Sequence, residues 1–321
     1  MNFTIIGAGA LGTILGAHLL RKGHGVNLVA RGGRAQQLRD EGIRLKGLVK
    51  DQLRCSVVDD PRLISQCDVL IFAVKTYQLN SAIESMSHVR AARTFSVANG
   101  VMKNAQLASA YGETQTLGCM ADTSGELHSN GMVEFTRNVC MHIGSLENTH
   151  DAVAAKIAEH INEAGVTTRC VANITTIEWS KYVGWVALFT LALISRKSTG
   201  YFLSDANFVA IAVRIIKEMG LIASTKGIPL IDQSPLPVAR IIDQPMTGAI
   251  ETIQRVGYGL TEAVPNHRMS VLQDLEAGRS LEVEETLGYA VRLAEKLGIE
   301  TPTTELAYRI ALGIDALQPT V

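Results

Sequence analysis

Three glycines near the start of the chain have the spacing that binds a dinucleotide. Gly7, Gly9 and Gly12 form the pattern G-x-G-x-x-G, directly after an apolar run at residues 3–6. The first glycine of such a loop allows a tight turn, the second lets backbone amides approach a pyrophosphate, and the third lets the next helix pack closely on the strand. Because a helix N-terminus attracts anions, we expect cofactor contacts from Gly7, Ala8, Gly9, Ala10, Leu11 and Gly12.

A basic residue follows the second predicted strand, residues 26–30, where NAD-binding folds usually carry an acidic one. The acidic group would bind the ribose 2'-hydroxyl, whereas Arg31 has a guanidinium fork that suits a 2'-phosphate. The sequence therefore predicts NADPH as the cofactor. In the alternative, Arg31 and the nearby Arg34 are solvated loop charges with no role in cofactor selection.

Two more polar residues follow runs that predict strands. Lys75 comes after residues 68–74, and Asn99 comes after residues 94–98. Doubly wound sheets bind ligands at the carboxyl ends of their strands, so Lys75 is expected to contact the cofactor or substrate and Asn99 to lie beside the nicotinamide. A plain surface position explains Lys75 equally well, and Asn99-Gly100 is also a turn signal.

A lysine begins a long apolar run in the second half of the chain. Lys181 precedes residues 182–195, which are almost wholly apolar. Such a lysine either extends to the protein surface or lies in a cleft. In a cleft, the loss of solvent and the neighbouring charges would suit it to proton transfer.

A serine and a glutamate stand at the starts of predicted helices near the other end of the chain. Ser270 lies in a helical pattern that stops at Gly278, and Ser280 precedes a predicted first turn that contains Glu282. Serine is a common helix cap, and acidic residues in a first turn stabilise a helix through its dipole. The pattern alone therefore assigns no chemistry to Ser270 or Glu282.

The elements that must position these residues predict an α/β protein with two domains. Strands alternate with helices in residues 1–172, which predicts a Rossmann-type dinucleotide-binding domain. Residues 173–321 show long helical patterns and no convincing strand, which predicts an all-helical C-terminal domain. In the first domain we place strands at residues 43–45 and 53–58 on one edge, and at residues 117–121, 132–136, 139–143 and 166–170 as extensions of the sheet.

Composition argues against several classes of protein. The 321 residues carry a formal net charge of -1, which gives no field to attract nucleic acid. The apolar run is shorter than the roughly 18 residues that suggest a membrane span, so we expect a buried helix and no membrane. Five cysteines without a paired spacing indicate a reducing cytoplasm, and the histidine spacings indicate no metal site.

Together the motifs resemble the ketopantoate reductase family, the 2-dehydropantoate 2-reductases, with this chain as a divergent member. The resemblance covers nearly the whole chain. It implies an N-terminal Rossmann domain, an all-helical C-terminal domain and a cleft between them in which NADPH reduces a 2-oxo acid, a step of pantothenate biosynthesis. The segments that carry it are residues 7–12, Arg31, Lys75, Asn99-Gly100, residues 178–181, residues 270–274 and residues 278–282.

The resemblance assigns roles residue by residue. Lys181 matches the catalytic lysine, Glu282 the active-site glutamate, and Asn99 the asparagine beside the nicotinamide. Ser270 matches a substrate-contacting serine, and Arg31 matches the contact to the 2'-phosphate. Hydride addition to a ketone leaves charge on oxygen, which the Lys181 ammonium can stabilise and protonate. Glu282 would hold a substrate hydroxyl or orient Lys181.

Two substrate-binding positions depart from the family pattern. Members that reduce ketopantoate carry asparagines four and eight residues after the lysine, where this chain has Trp185 and Phe189. Large apolar side chains there favour a bulkier or more apolar substrate.

Three functions follow as hypotheses. The first is NADPH-dependent reduction of a 2-oxo acid to a 2-hydroxy acid. The alternatives are a 2-hydroxy acid dehydrogenase for a bulkier aromatic or branched substrate, and a non-catalytic NADP-binding sensor. The expected partner is a small-molecule 2-oxo acid, with a homodimer as the assembly to test.

Overall fold

The computed structural model describes residues 1–233 and 235–318, and it divides into two compact units. The first unit is Met1–Thr175 and the second is Thr176–Val321. The sequence places the domain boundary between residues 172 and 173, and the division in the structure follows Thr175, in the first turn of a helix at Ile174–Ser195.

Within residues 1–175, all of which the structure describes, ten strands form two sheets. In chain order they are β1 (Asn2–Ile6), β2 (Gly25–Val29), β3 (Ile43–Gly47), β4 (Asp51–Leu53), β5 (Ser56–Val58), β6 (Gln66–Phe72), β7 (Arg90–Ser96), β8 (Leu117–Leu127), β9 (Val133–Ser145) and β10 (Thr168–Cys170). The first sheet has the order β5-β2-β1-β6-β7 and is parallel throughout. Its central strand, β1, exposes only Asn2, as expected where both faces are covered.

The helices of the first unit complete the Rossmann-type arrangement that the sequence predicts. The first of them, which follows the glycine loop, is buried without a break from Gly12 to Leu19. Its Ile14 side chain belongs to one buried cluster with Phe3 of β1 and Phe135 of β9, so the helix packs against strands of both sheets. The helices are α1 (Ala10–Arg21), α2 (Gly32–Glu41), α3 (Leu79–Met86), α4 (Met102–Tyr111) and α5 (Ala152–Glu163).

The strands predicted as extensions of the first sheet lie instead in a second sheet. This sheet has the order β10-β9-β3-β4. The strand β8 is not part of that series and pairs antiparallel with β9. Residues 117–121 belong to β8, residues 132–136 and 139–143 to the single strand β9, and residues 166–170 contain β10. Two register shifts in the β8–β9 hairpin, between Asp122 and Thr123 and between Ser124 and Gly125, interrupt the alternation on which strand prediction depends.

The prediction of edge strands at residues 43–45 and 53–58 was also only partly correct. Residues 43–45 lie in β3, which pairs with β9 and β4 in the second sheet. The predicted strand at residues 53–58 is split, because β4 ends at Leu53 and β5 begins at Ser56. Of these segments, β5 lies at the edge of the first sheet, beside β2.

In the second unit, every regular element that the structure describes is helical, which confirms the all-helical prediction. The Pro-bearing segments connect helices, since Pro237 and Pro245 each precede one. The elements are α6 (Ile174–Ser195), α7 (Thr199–Ser204), α8 (Ala206–Thr225), α9 (Val238–Asp243), α10 (Met246–Ala263), α11 (Ser270–Glu276), a π-helical segment (Glu284–Gly288), α12 (Tyr289–Leu297) and α13 (Pro302–Ala316).

Helix α6 is the apolar helix that carries Lys181. By length and composition alone it could cross a membrane, with a mean hydropathy of 1.3. However, 89% of its most apolar window is buried inside the protein. Burial on all sides explains why the sequence shows no polar face, and α6 is the buried helix that the sequence predicts.

Candidate functional site

The glycine loop between β1 and α1 has the geometry that its spacing predicts. Gly7 has a φ of +102°, and a Cβ there would lie 2.8 Å from the Ala73 carbonyl oxygen. A Cβ at Gly12 would overlap the carbonyl oxygen of Gly7. A Cβ at Gly9 would meet no atom within 4 Å. Gly7 and Gly12 are therefore required by packing, whereas Gly9 keeps the backbone open for a close approach.

The N-terminus of α1 is suited to an anion. Its N-cap is Gly9, which has no side chain to accept hydrogen bonds from the first turn. The Thr13 N–H donates to the Gly9 carbonyl at 3.0 Å and starts the intrahelical series. The N–H groups before Thr13 are those that a helix leaves without intrahelical acceptors, and they suit a pyrophosphate.

Arg34 holds this loop, a role that sequence reasoning missed. Its Nε donates to the Ala8 carbonyl at 2.9 Å, and its guanidinium also donates to Thr13 Oγ1 at 3.0 Å and to the Gly131 carbonyl at 2.8 Å. The Thr13 hydroxyl donates to the same Ala8 oxygen at 3.1 Å. Burial lowers the pKa of the Arg34 guanidinium from its ordinary value. Arg34 is thus neither a solvated loop charge nor an exposed ligand for a phosphate.

Arg31 lies beside the glycine loop and is exposed to solvent. It is the N-cap of α2 and makes no side-chain capping bond. The loop and the end of β2 are joined directly, because the Gly7 N–H donates to the Val29 carbonyl at 3.1 Å. Arg31 therefore follows β2 at the same sheet edge as the helix N-terminus.

Lys75 and Asn99 follow the two strands on the other side of β1. The Ala73 N–H donates to the Ile6 carbonyl at 2.7 Å, and the Val97 N–H donates to the Phe72 carbonyl at 3.0 Å. These bonds continue the parallel sheet to its carboxyl edge, where Lys75 and Asn99 are half-buried. Gly100 has a φ of +82°, so the Asn-Gly pair also forms the turn that its sequence indicates.

Helix α6 places three of the predicted residues in series. Lys181, Trp185 and Phe189 are spaced by four residues and lie on one helix face. The Lys181 Nζ is 5.8 Å from the centroid of the Trp185 ring, and the Trp185 and Phe189 ring centroids are 6.4 Å apart. An ammonium above an indole face is attracted by the ring quadrupole. Lys181 is half-buried, whereas Phe189 is only 1% exposed.

Glu282 and Ser270 occupy other elements of the second unit. Ser270 is the first residue of α11 and is half-buried. Glu282 was predicted in the first helical turn after Ser280, but the helical segment begins after it, at Val283. The Leu281 N–H donates to Asp315 of α13 at 3.1 Å, which holds this stretch outside the helix. The buried Glu282 therefore does not serve as a first-turn helix charge.

The two neighbouring glutamates differ from Glu282. Glu284 accepts hydrogen bonds from the Tyr308 hydroxyl and the Arg292 guanidinium, both at 2.6 Å, and the Tyr308 contact is the largest cause of its lowered pKa. The pKa of Glu285 is raised, mainly by burial and then by the charges of Glu282 and Glu284. Glu284 is thus committed to a structural contact.

Tyr182 joins the segments that bear Lys181 and Glu282, and sequence reasoning did not assign it. Its fully buried hydroxyl donates to the Thr286 carbonyl at 2.7 Å, within the π-helical segment. Burial raises the pKa of Tyr182 well above its ordinary value, so the hydroxyl stays a donor. A tyrosine in an apolar run signals a buried hydroxyl that needs a partner, but the run does not identify the acceptor.

The first unit has a parallel sheet, an open glycine loop and an arginine at a strand end. The second, helical unit carries a lysine on a buried helix. These features are those of a two-domain, dinucleotide-dependent oxidoreductase. Residues 3–148 match the family described as Ketopantoate reductase PanE/ApbA, and residues 173–315 match its C-terminal domain. The chain belongs to the ketopantoate reductase family. Members of this family are NADP-dependent oxidoreductases that act on CH–OH groups.

Individual relatives extend over almost the full length of the chain. The 2-dehydropantoate 2-reductase of Archaeoglobus fulgidus is 25% identical over 97% of each chain. A PanE/ApbA family ketopantoate reductase from Ralstonia eutropha superposes with a TM-score of 0.83, at 24% identity over 99% of each chain. A ternary structure of D-mandelate dehydrogenase with NADH and anilino(oxo)acetate gives a TM-score of 0.85, at 18% identity over 98% of each chain. These solved structures confirm the fold.

Replacing Tyr182 with phenylalanine tests the bond that joins the two segments. We expect Tyr182→Phe to lower the free energy of unfolding by about 1 kcal/mol, because the buried Thr286 carbonyl loses its hydroxyl donor. Urea unfolding of the full chain measures this. Tyr201→Phe is the matched control, since Tyr201 is 68% exposed. Equal stability of the two variants would contradict the assignment.

Replacing Arg34 tests how the glycine loop is held. We expect Arg34→Gln to raise the dissociation constant of NADPH about tenfold, because the loop carbonyl loses a charge-assisted hydrogen bond. A fluorescence titration with NADPH measures the constant. Arg39→Gln, on the same helix but in a surface ion pair with Asp59, should bind NADPH normally. Unchanged binding by the Arg34 variant would remove Arg34 from this role.

Proposed function

We propose that this chain uses NADPH to reduce a 2-oxo acid to a 2-hydroxy acid, the type of reaction named for the 2-dehydropantoate 2-reductases it resembles. The observation that carries the proposal is the half-buried Lys181 on the apolar helix α6, in a chain whose first unit has an open dinucleotide loop. We assign the dinucleotide-binding domain to residues 1–172 and the substrate and catalytic domain to residues 173–321.

The first unit supplies the cofactor site. The open backbone at Gly9 and the N-terminus of α1 fit the pyrophosphate, and the exposed Arg31 fits the 2'-phosphate. Lys75 and Asn99, at the carboxyl edge of the same sheet, bind nearer the nicotinamide. When bound, NADPH supplies the hydride. The residues of this unit fix where that hydride is presented.

The second unit supplies the proton. The Lys181 Nζ stabilises the charge that develops on the 2-oxo oxygen and transfers a proton to it. Glu282 orients Lys181 or holds a polar group of the substrate, and Ser270 donates a further hydrogen bond. With hydride added at carbon and a proton added at oxygen, the ketone becomes an alcohol.

The alternative function is a 2-hydroxy acid dehydrogenase for an aromatic or branched substrate. It is favoured by the buried aromatic pair, Trp185 and Phe189, at the two substrate positions. The similar structure of D-mandelate dehydrogenase with anilino(oxo)acetate agrees with such a substrate. The same Lys181 would then accept the proton of the alcohol.

We also propose that the enzyme works in the cytoplasm as a homodimer, on a small molecule and without nucleic acid or membrane. The cytoplasm is proposed because the five cysteines are widely spaced in sequence and none is paired in a disulfide. The formal net charge of -1 gives no field that would attract nucleic acid. The homodimer stays a prediction.

Removing the lysine tests the mechanism. In an NADPH-oxidation assay across small, branched and aromatic 2-oxo acids, we expect Lys181→Ala to lower kcat by about 10²–10⁴, because the proton donor is lost. NADPH binding should be retained. Lys197→Ala removes an exposed lysine just beyond the same helix and is the control. Near-normal turnover by Lys181→Ala would exclude Lys181, and no turnover by the wild type on any acid would favour the sensor.

Reversing the charge at Arg31 tests the cofactor assignment. We expect Arg31→Asp to lower the ratio of kcat/KM for NADPH to that for NADH by about 100-fold, because the carboxylate repels the 2'-phosphate and accepts the ribose hydroxyl. Arg62→Asp makes the same charge change at an arginine whose side chain is 86% exposed and should keep the ratio. An unchanged ratio in the Arg31 variant would contradict the 2'-phosphate contact.

A further inference from the structure

The indole N–H of Trp185 is buried and has no acceptor among the described residues. The side chain is 8% exposed, and its Nε1 makes no hydrogen bond. A buried donor without a partner costs free energy, so native structures rarely keep one without a use for it. In the described part of the second unit, the other buried side-chain atom of this kind is Gln318 Oε1, at the far end of the chain.

The position of this donor places it at the proposed chemistry. Trp185 is one helical turn after Lys181, whose Nζ lies 5.8 Å from the indole centroid. The ring also packs against the nearly fully buried Phe189, at 6.4 Å between ring centroids, which limits its rotation. The ammonium and the indole ring therefore lie together on one face of α6.

The chemistry of the donor selects its acceptor. An indole N–H donates and cannot accept, whereas an asparagine amide at the same position does both. Trp185 therefore suits an anionic oxygen, where the hydrogen bond is charge-assisted, and gives nothing to a substrate hydroxyl that needs an acceptor. The carboxylate next to a 2-oxo group is such an oxygen. The rest of the indole offers apolar surface.

We propose that Trp185 is a specificity-determining residue that donates its indole N–H to the substrate carboxylate, and that it selects 2-oxo acids whose C3 side is apolar and carries no hydroxyl. This assignment rests on the proposed 2-oxo acid reduction and narrows its substrate class. Phe189 acts through Trp185, as a positioning residue.

The first test observes the N–H directly. The chain has two tryptophans, so ¹⁵N-labelled protein gives two indole resonances, and Trp179→Phe assigns the remaining one to Trp185. The probe is anilino(oxo)acetate with NADP⁺, a pair that does not turn over. We expect the Trp185 resonance to move downfield on saturation and the Trp179 resonance to stay. Saturable binding that leaves the Trp185 resonance in place would overturn the proposal.

The second test is a comparison of acid and amide. For wild type and Trp185→Phe, kcat/KM is measured with phenylglyoxylate and with its neutral primary amide. We expect the preference for the acid to fall about tenfold in Trp185→Phe, and to be unchanged in Trp179→Phe, the same substitution on the same buried helix. A change below twofold in Trp185→Phe would overturn the proposal.

The two tests separate this proposal from the proposed function. If no 2-oxo acid is reduced but the Trp185 resonance moves on binding, the reaction is wrong and the carboxylate contact holds. If acids are reduced while the resonance and the acid-to-amide ratio stay unchanged, the reaction holds and the contact is wrong.

Discussion

The close packing of α1 against the carbonyl of Gly7 is the constraint on which the dinucleotide site depends. Only a glycine at position 12 permits that approach, and it brings the helix N-terminus to the end of β1. The bond from Gly7 to Val29 then sets where Arg31 leaves β2. Arg34 and Thr13 both donate hydrogen bonds to the Ala8 carbonyl and so hold the loop in place. The positions of the α1 N-terminus and of Arg31 thus depend on buried contacts of the glycine loop.

In the second unit, buried side-chain contacts set the orientation of the helix that carries Lys181. Helix α6 has no polar face, so its orientation is set by buried contacts such as the bond from Tyr182 to Thr286. That bond ends in the π-helical segment Glu284–Gly288, which begins two residues after Glu282. π-Helical turns are frequent at functional sites because the extra residue changes the direction of neighbouring groups. Here one buried hydroxyl ties the lysine-bearing helix to the glutamate-bearing segment.

The sequence was sufficient where function depends on local geometry. The glycine loop, the strand-end position of Arg31 and the buried character of α6 all follow from neighbours in the chain. The second sheet did not, because strand runs do not state their partners and the bulges of the β8–β9 hairpin broke its pattern. Arg34 was misjudged for the same reason, since one acceptor, the Gly131 carbonyl, is remote in sequence. The unpaired Trp185 N–H could not be predicted either, because it depends on which groups the fold packs around the indole, and none of those described accepts its hydrogen bond.

The second sheet has a consequence for the order in which the first unit can form. Its strand β3 pairs with β9, so Leu45 can pair only when the distant residue Val133 is present. The strand β10, which also pairs with β9, lies still further along the chain. Until then, one side of α1 has no cover for Ile14. Pairings of such long sequence separation are slow and leave apolar surface exposed in the meantime. The side of α1 that bears Ile14 therefore becomes fully covered only after the strands of the second sheet have paired.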